Sequence, residues 1–449
     1  MIGESRLLSV LSKMVRRSRA DAVSVCAHAK TRQVFRFAHE AIHQNLIQEE
    51  ANIIVKVIQE HRIGLASAQT LDTLSLNRCV KAAQEIAAHC PSRNGLPHLP
   101  EKHRIRFLED YDLETEKTSA GACVATLKRL FHLCKGAGSE LAGSLVTGVD
   151  EFAVVNSSGV SCYSASTLAG IKLVTLYRQL SGYASGVARR WKDLPIDSLL
   201  QQSLKQVLHQ QDPISLPVGT YEVILEPEAV ADLVTWLSTI AFGAKSVEER
   251  MSFLAGRMGD TVCDPQITIV DDGTDPSGLR MPFDFEGVPK QRVVLIDEGK
   301  AAGLVYDSHY AQRFNHPSTG HALPPDEVEG PLPLHLAMNP ANSSLAQMIR
   351  SCQRGLLIPR FHYVNGLLNQ RETLMTGLTR EGTFLIEDGK MRQPVRTMRF
   401  TQGLMEALSQ LRAISKERRL IANPSEDLGC AVMPALHLAK FKFTGRSES

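Results

Sequence analysis

Thr383-Phe384-Leu385-Ile386-Glu387-Asp388-Gly389-Lys390 is a short apolar run closed by an acidic turn ending in glycine. Asp and Gly tolerate the backbone that a tight turn demands, so the stretch reads as a strand entering a hairpin. The same device recurs upstream as Leu295-Ile296-Asp297-Glu298-Gly299 and as Asp271-Asp272-Gly273. Strand-like pieces at 266–270, 292–296, 355–361, 382–386 and 436–443 make the C-terminal half strand-rich. Ahead of them Tyr221-Glu222-Val223-Ile224-Leu225 reads as a strand, and Glu228 through Phe242 as an apolar helix. The segment 314–345 holds six prolines and reads as a loop too long for a passive connector.

Pro213-Ile214-Ser215-Leu216-Pro217-Val218-Gly219 has the composition of a linker. The chain is therefore expected to divide into an N-terminal α+β domain, 1–212, and a β-rich domain, 213–449. In the first, Leu7, Leu8, Leu11 and Met14 give a helix one apolar face, with Arg16, Arg17 and Arg19 at its C-terminal end. Residues 22–25, 34–37 and 53–58 alternate like strands. Leu74–Ala88, Ala120–Cys134 and about 196–210 read as helices, and Asn156-Ser157-Ser158-Gly159 as a hairpin turn. The fold class expected is α+β: a mixed N-terminal domain with an antiparallel sheet and helices, then a strand-rich antiparallel domain.

Composition excludes several classes. The 449 residues are 43% hydrophobic and 22% charged, ordinary for a globular protein. Fifty Lys and Arg against 48 Asp and Glu leave a formal charge of +2, which gives no broad footprint for nucleic acid. Arg412 through Arg419 is interrupted by Glu417, and the spacing suggests a solvated helix face. No apolar run of about 18 residues offers a membrane helix. The N-terminus lacks the basic-then-apolar layout of a secretory signal. Nine scattered cysteines without a CxxC pair fit a reducing compartment, with most acting as small buried apolar residues. A cytoplasmic location is the expectation.

Common catalytic signatures are absent: no GxxxxGK[ST], no GxSxG and no HExxH. His39 and His43, four apart, would share one face of a helix, but two imidazoles do not complete a zinc site. His316 and His321, in the proline-rich loop, read as surface or packing groups.

Several segments in order carry a resemblance. They are Asp271-Asp272-Gly273, Pro282-Phe283-Asp284-Phe285-Glu286-Gly287-Val288-Pro289, Leu295 through Gly299, and Ser318-Thr319-Gly320-His321. Arg354-Gly355-Leu356-Leu357-Ile358 and Thr376 through Lys390 follow, and Arg36 through Gln44 and Asn156 through Gly159 precede them. Together they resemble the TldD/PmbA (TldE) family, once named modulators of DNA gyrase, over nearly the whole chain.

The resemblance implies an N-terminal α+β domain and a C-terminal domain of antiparallel sheets. It also implies a two-subunit metallopeptidase. A TldD-type subunit binds zinc through HExxxH and a later cysteine. A TldE/PmbA-type subunit pairs with it, and the pair cleaves unfolded peptides or removes leaders. Here the motif helix reads Glu226-Pro227-Glu228-Ala229-Val230-Ala231-Asp232-Leu233. Pro227 and Asp232 stand in the two histidine positions, and Glu228 alone is retained, at the general-base position. Proline offers no lone pair, so one ligand is lost outright. Glu228 also suits the acidic first turn of a helix, with Pro227 at its first position. Cys430 lies near where the ligand cysteine falls, but reads better as a buried or partly exposed thiol.

The chain is thus identified as a TldE/PmbA-like member lacking the zinc motif. The resemblance implies no metal or other cofactor in this chain, zinc in a TldD-like partner, and a heterodimer, with a homodimer also open. Peptide would be captured by strand addition to an edge of the strand-rich half, with the 314–345 loop covering it; the peptide-cavity region the resemblance suggests includes Asp284, Glu286, Gly287, Ser318, Thr319, Gly320 and His321. The alternative is a peptide-binding or regulatory module of the gyrase-modulator type, without a protease role.

Overall fold

The computed structural model describes residues 1–93, 95–178, 180–207, 212–423 and 429–446. The N-terminal sheet has six strands: β1 (Ala22–Ala38), β2 (Ala41–Gln59), β3 (Arg62–Ala68), β4 (Glu140–Asn156), β5 (Ser161–Tyr177) and β6 (Leu180–Ala188). Their order is β3-β2-β1-β4-β5-β6, every pair antiparallel. The pieces 22–25 and 34–37 belong to one long strand. At its end His39 and Glu40 both take positive φ, 48° and 55°, as a two-residue hairpin turn requires. His39 and His43 therefore lie on a hairpin and not on a helix. His39 pairs with Glu140 at 2.8 Å, and His43 Nε2 donates to the Ala38 carbonyl at 2.9 Å.

Alternation decides what each face of this sheet meets. Val23, Val25 and Ala27 point one way and pack on α1 (Glu4–Arg17) and α2 (Thr73–His89). Phe35 and Phe37, on that same side, pack on α4 (Ala120–Gly136) and α5 (Ile196–Val207). The short α3 (Leu113–Glu116) precedes them. The expected helix near 196–210 is described to Val207; 208–210 lies outside the described residues. Cys26, Ile54 and Val154 point the other way, onto Phe283 and Phe285 of the C-terminal half. Phe152 stacks on Phe283 with ring centroids 5.0 Å apart.

The C-terminal half builds one 13-stranded sheet. Its strands are β7 (Gly219–Leu225), β8 (Ile269–Asp271), β9 (Val293–Asp297), β10 (Lys300–Ala301), β11 (His335–Met338), β12 (Arg354–Ile358), β13 (Phe361–Asn369), β14 (Leu374–Thr379), β15 (Phe384–Glu387), β16 (Lys390–Pro394), β17 (Met398–Gly403), β18 (Leu411–Ile421) and β19 (Cys430–Arg446). The main path runs β10-β9-β8-β11-β19-β7-β12-β15-β16, with β19 also pairing β17 and β18. Pairing is antiparallel except for β7 with β12 and β11 with β19. Helix α6 (Pro227–Ala241) is buried on nearly every side, as its all-round apolar sequence demands. The shorter α7 (Ala244–Glu248), α8 (Ser308–Arg313), α9 (Leu345–Ser351) and α10 (Leu404–Leu408) complete the half. Leu216 is buried in this core and Ile214 bridges to Val395, so the linker-like segment lies against the second sheet.

Two expectations are corrected here. Arg412 through Arg419 is not a helix face but part of β18, paired antiparallel with β19. Ile414 and Ser415 are buried while Arg418 and Arg419 project from the same strand, so the ladder overrides the helical spacing. The loop at 314–345 is interrupted by β11, inserted between β8 and β19. No helix among the described residues is long and apolar enough to cross a membrane. Eight of the nine cysteines are buried, and all are free.

Candidate functional site

Strand β7 delivers the chain to α6 through Glu226, whose N–H donates to the Ile358 carbonyl at 2.9 Å. Pro227 sits in the first helical turn, where its missing N–H costs nothing. Glu228 and Asp232, four residues apart, then share a helix face. Both line a cavity of about 550 Å³ whose other walls include Cys430 of β19, Arg360, Phe361 of β13 and Lys172 of β5. Pro333 and Leu334, from the proline-rich segment, close one side. Cys430, distant in sequence from Glu228 and Asp232, thus meets them at one cavity. Pro227 instead lines a separate apolar groove next to α5 and α9.

The chemistry of these groups is not that of a metal site. Glu228 accepts from Ser185 Oγ at 3.2 Å and from Arg419 Nη2 at 3.2 Å. Burial pushes its carboxyl above the usual range, and the Arg419 and Arg360 charges oppose that shift. Asp232 Oδ2 accepts from the Phe361 N–H at 2.9 Å, and burial pushes its carboxyl up to about 7. The Cys430 sulfur accepts from the Leu279 N–H at 3.2 Å, and burial raises the thiol to about 11, leaving it protonated at neutral pH. Arg360 pairs with Glu381 at 2.6 Å and lies 4.0 Å over the Tyr183 ring. A zinc ion does not fit this set. Pro227 has no donor atom, one Asp232 oxygen is committed to a backbone amide, and a guanidinium is bonded to Glu228.

Among the described residues one other group offers three possible ligands, Glu222, Cys352 and His437, with ligand atoms within 4.8 Å of one another. No sequence spacing announces it, because it joins β7, the end of α9 and β19. His437 Nε2 lies 2.6 Å from Glu222 Oε1, and Arg412 Nη1 donates to that same oxygen at 2.7 Å. The carboxylate is already served by a cation.

The residues expected around a peptide cavity stand apart from Glu228 and Asp232: five are buried, Glu286 and Ser318 are half-buried, and Glu286 lines a separate cavity of about 120 Å³ with Lys56 and Asp307. Asp284 is fully buried: Oδ1 accepts from the Glu286 and Val288 N–H groups, each at 2.9 Å, and Oδ2 from Ala322 at 2.9 Å. Gly287 stands at φ 80°, and a Cβ there would lie 2.4 Å from Val160. Gly320, at φ 73°, passes equally close to the Pro289 carbonyl. Ser318 and Thr319 hydroxyls donate to the Tyr306 carbonyl at 3.2 and 3.1 Å. Glu286 accepts from the Ser308 N–H at 3.0 Å and reaches Lys56 of the first sheet at 4.0 Å. His321 Nε2 donates to Asp271 Oδ1 at 2.7 Å, both side chains fully buried. These seven brace the turns that carry Phe283 and Phe285 into the first sheet, and they do not line the cavity of Glu228 and Asp232.

Comparisons with known proteins agree with this architecture. Residues 218–445 match the family model of the PmbA/TldA metallopeptidase C-terminal domain. The metalloprotease PmbA of Escherichia coli O157:H7 is 22% identical over 407 residues, covering 86% of this chain and 85% of that protein. An uncharacterized protein of Methanocaldococcus jannaschii is 25% identical over 270 residues, 60% of this chain and 62% of that protein's length. In fold, the chain is similar to the crystal structure of TldE from Thermococcus kodakarensis, with a TM-score of 0.86 at 20% identity, covering 98% of this chain and 99% of that one. The chain belongs to the TldD/PmbA metallopeptidase family.

Proposed function

We propose that this chain is the non-catalytic, TldE/PmbA-like subunit of a heteromeric zinc metallopeptidase acting on unfolded or leader-bearing peptides. The observation that carries the reading is the cavity of Glu228, Asp232 and Cys430. It includes one face of the motif helix of a metallopeptidase family, yet a proline and a backbone-bonded aspartate stand in the two histidine positions, and an arginine is paired with the glutamate at the general-base position. Zinc, the activated water and the general base would then belong to a TldD-like partner subunit. This chain would supply cavity wall and the contact surface, from a cytoplasmic location.

Strand β13 supports a role in holding peptide. Among the described residues it pairs only with β14, so its other edge is unpaired. Phe361, His362, Tyr363 and Val364 of this strand line the cavity, and Tyr363 is 80% exposed. An extended peptide adding to such an edge is held by main-chain hydrogen bonds, which favours unfolded substrates whatever their side chains.

The test is peptide hydrolysis by a TldD-like subunit from the same cell, alone and co-purified with this chain. The pair should turn over an unfolded peptide well above either chain alone. Equal rates with and without this chain would remove the subunit role.

A further inference from the structure

A second, smaller cavity of about 100 Å³ lies between the first sheet and the C-terminal half. It shares Ala422, Asn423 and Gly429 with the cavity of Glu228 and Asp232, so the two adjoin. Three arginines line it: Arg32 of β1, Arg189 just after β6, and Arg280. Two are matched by acids. Arg32 Nη2 lies 2.7 and 2.6 Å from the Asp150 oxygens, and Arg280 Nη2 lies 2.6 Å from Asp110. Arg189 is different. Its Nη1 donates to Ser166 Oγ at 3.0 Å and the Thr167 carbonyl at 3.3 Å, and its Nη2 to the Arg280 carbonyl at 2.8 Å. These acceptors are neutral, and among the described residues no carboxylate stands at ion-pair distance from it.

The same lining holds an excess of unmet hydrogen-bonding capacity. Among the described residues five buried side-chain polar atoms have no partner, and three belong to this cavity: Arg189 Nε, Arg32 Nη1 and His335 Nδ1. Arg32 and His335 are 7% and 5% exposed. An unmet buried donor costs about 1–3 kcal/mol, so the Arg189 and Arg32 N–H groups mark a place suited to an acceptor, while the neutral His335 ring can donate or accept. A single water needs roughly 10–15 Å³ by the same kind of measure, so there is room for a small polyatomic group. Among the described residues Asp110 and Asp150 act on the Arg189 charge only from beyond ion-pair distance, so three guanidinium groups share two carboxylates around the cavity. Among the described residues this leaves one positive charge in excess, which one negative charge would meet.

We propose that this cavity is a carboxylate-binding site, with Arg189 as the charge partner and Arg32 and His335 as flanking hydrogen-bond groups. The carboxylate is either that of a small free acid or the C-terminal carboxylate of a peptide lying in the adjoining cavity; only the second source rests on the proposed peptide role.

The test uses the full chain and acetate. Thermal unfolding is followed against acetate at ionic strength held constant with chloride. The midpoint should rise saturably with acetate, and Arg189→Gln and His335→Gln should each weaken the apparent affinity at least tenfold. Circular dichroism checks that each variant folds; should Arg189→Gln fail, His335→Gln carries the test, because the backbone N–H of His335 still bonds Asp271. Acetate and chloride acting alike, or folded variants responding like the parent, would overturn the site. A peptide with a free C-terminus competing with acetate at least tenfold better than its C-terminal amide would identify the peptide end as the ligand. Equal competition by the two, with the acetate response intact, would identify a small free acid. Absence of the acetate response leaves the two-subunit hydrolysis assay unaffected, so the two readings fail separately.

Discussion

Replacing Asp232 by asparagine should make the protein less sensitive to rising pH. Asp232 opens on the cavity but is surrounded by protein, and burial lifts its carboxyl from 3.8 to about 7. The folded state therefore holds a proton that the unfolded state has released. Stability from this group is fully present below the unfolded value and is lost as pH rises toward 7. A shift of about three pH units corresponds to a ceiling of ~4 kcal/mol. Water in the cavity solvates the carboxylate in part, so about 2 kcal/mol is the expected loss by pH 8. Asp232→Asn keeps an oxygen for the Phe361 N–H and cannot ionise. Urea unfolding of parent and variant at intervals from pH 5 to 8 measures the difference. The variant should already be more stable by about 1 kcal/mol at pH 5, and by about 2 kcal/mol at pH 8. Parallel profiles would refute the argument that this carboxyl is protonated by burial.

Other predictions follow from the interior. His321→Gln removes one hydrogen-bond donor from the fully buried carboxylate of Asp271, which keeps the His335 N–H, and should cost about 1–3 kcal/mol in urea unfolding at pH 7. Phe283→Ala empties a fully buried site where the two sheets meet and should cost about 3–5 kcal/mol. Because Phe283 stacks on Phe152 of the first sheet, that variant should also broaden the transition or split it between far-ultraviolet and fluorescence probes.

Much of the strand-rich half was legible because its turns carry Asp-Gly or Glu-Gly signals; Glu298 and Asp388 indeed take positive φ before a positive-φ glycine. The N-terminal hairpins were harder, since His39-Glu40 and Glu60-His61 turn at positive φ without any glycine. The stretch 411–421 was misread because charges at helical spacing are indifferent to the strand they lie on, whereas β19 supplies a ladder that a local pattern cannot reveal. The motif positions Glu228 and Asp232 could be placed from order along the chain, and the structure adds that Cys430 shares their cavity. The seven residues at 284–321 could be grouped only through the resemblance, because polar and glycine-rich turns look alike whether they bind ligand or brace a fold. What separates the two is burial: Asp284 spends its acceptors on three backbone amides. Arg419 on Glu228, and the group Glu222, Cys352 and His437, join residues about 85 to 215 positions apart and leave no spacing to read.

Zinc content bears most directly on the central claim. The chain should be purified alone in the presence of zinc, dialysed without chelator, and analysed for metal alongside a TldD-like partner and the complex. The account predicts sub-stoichiometric zinc in this chain, with zinc in the complex following the partner's content. Stoichiometric zinc in the isolated chain, lost on Asp232→Asn or Cys430→Ser, would contradict it.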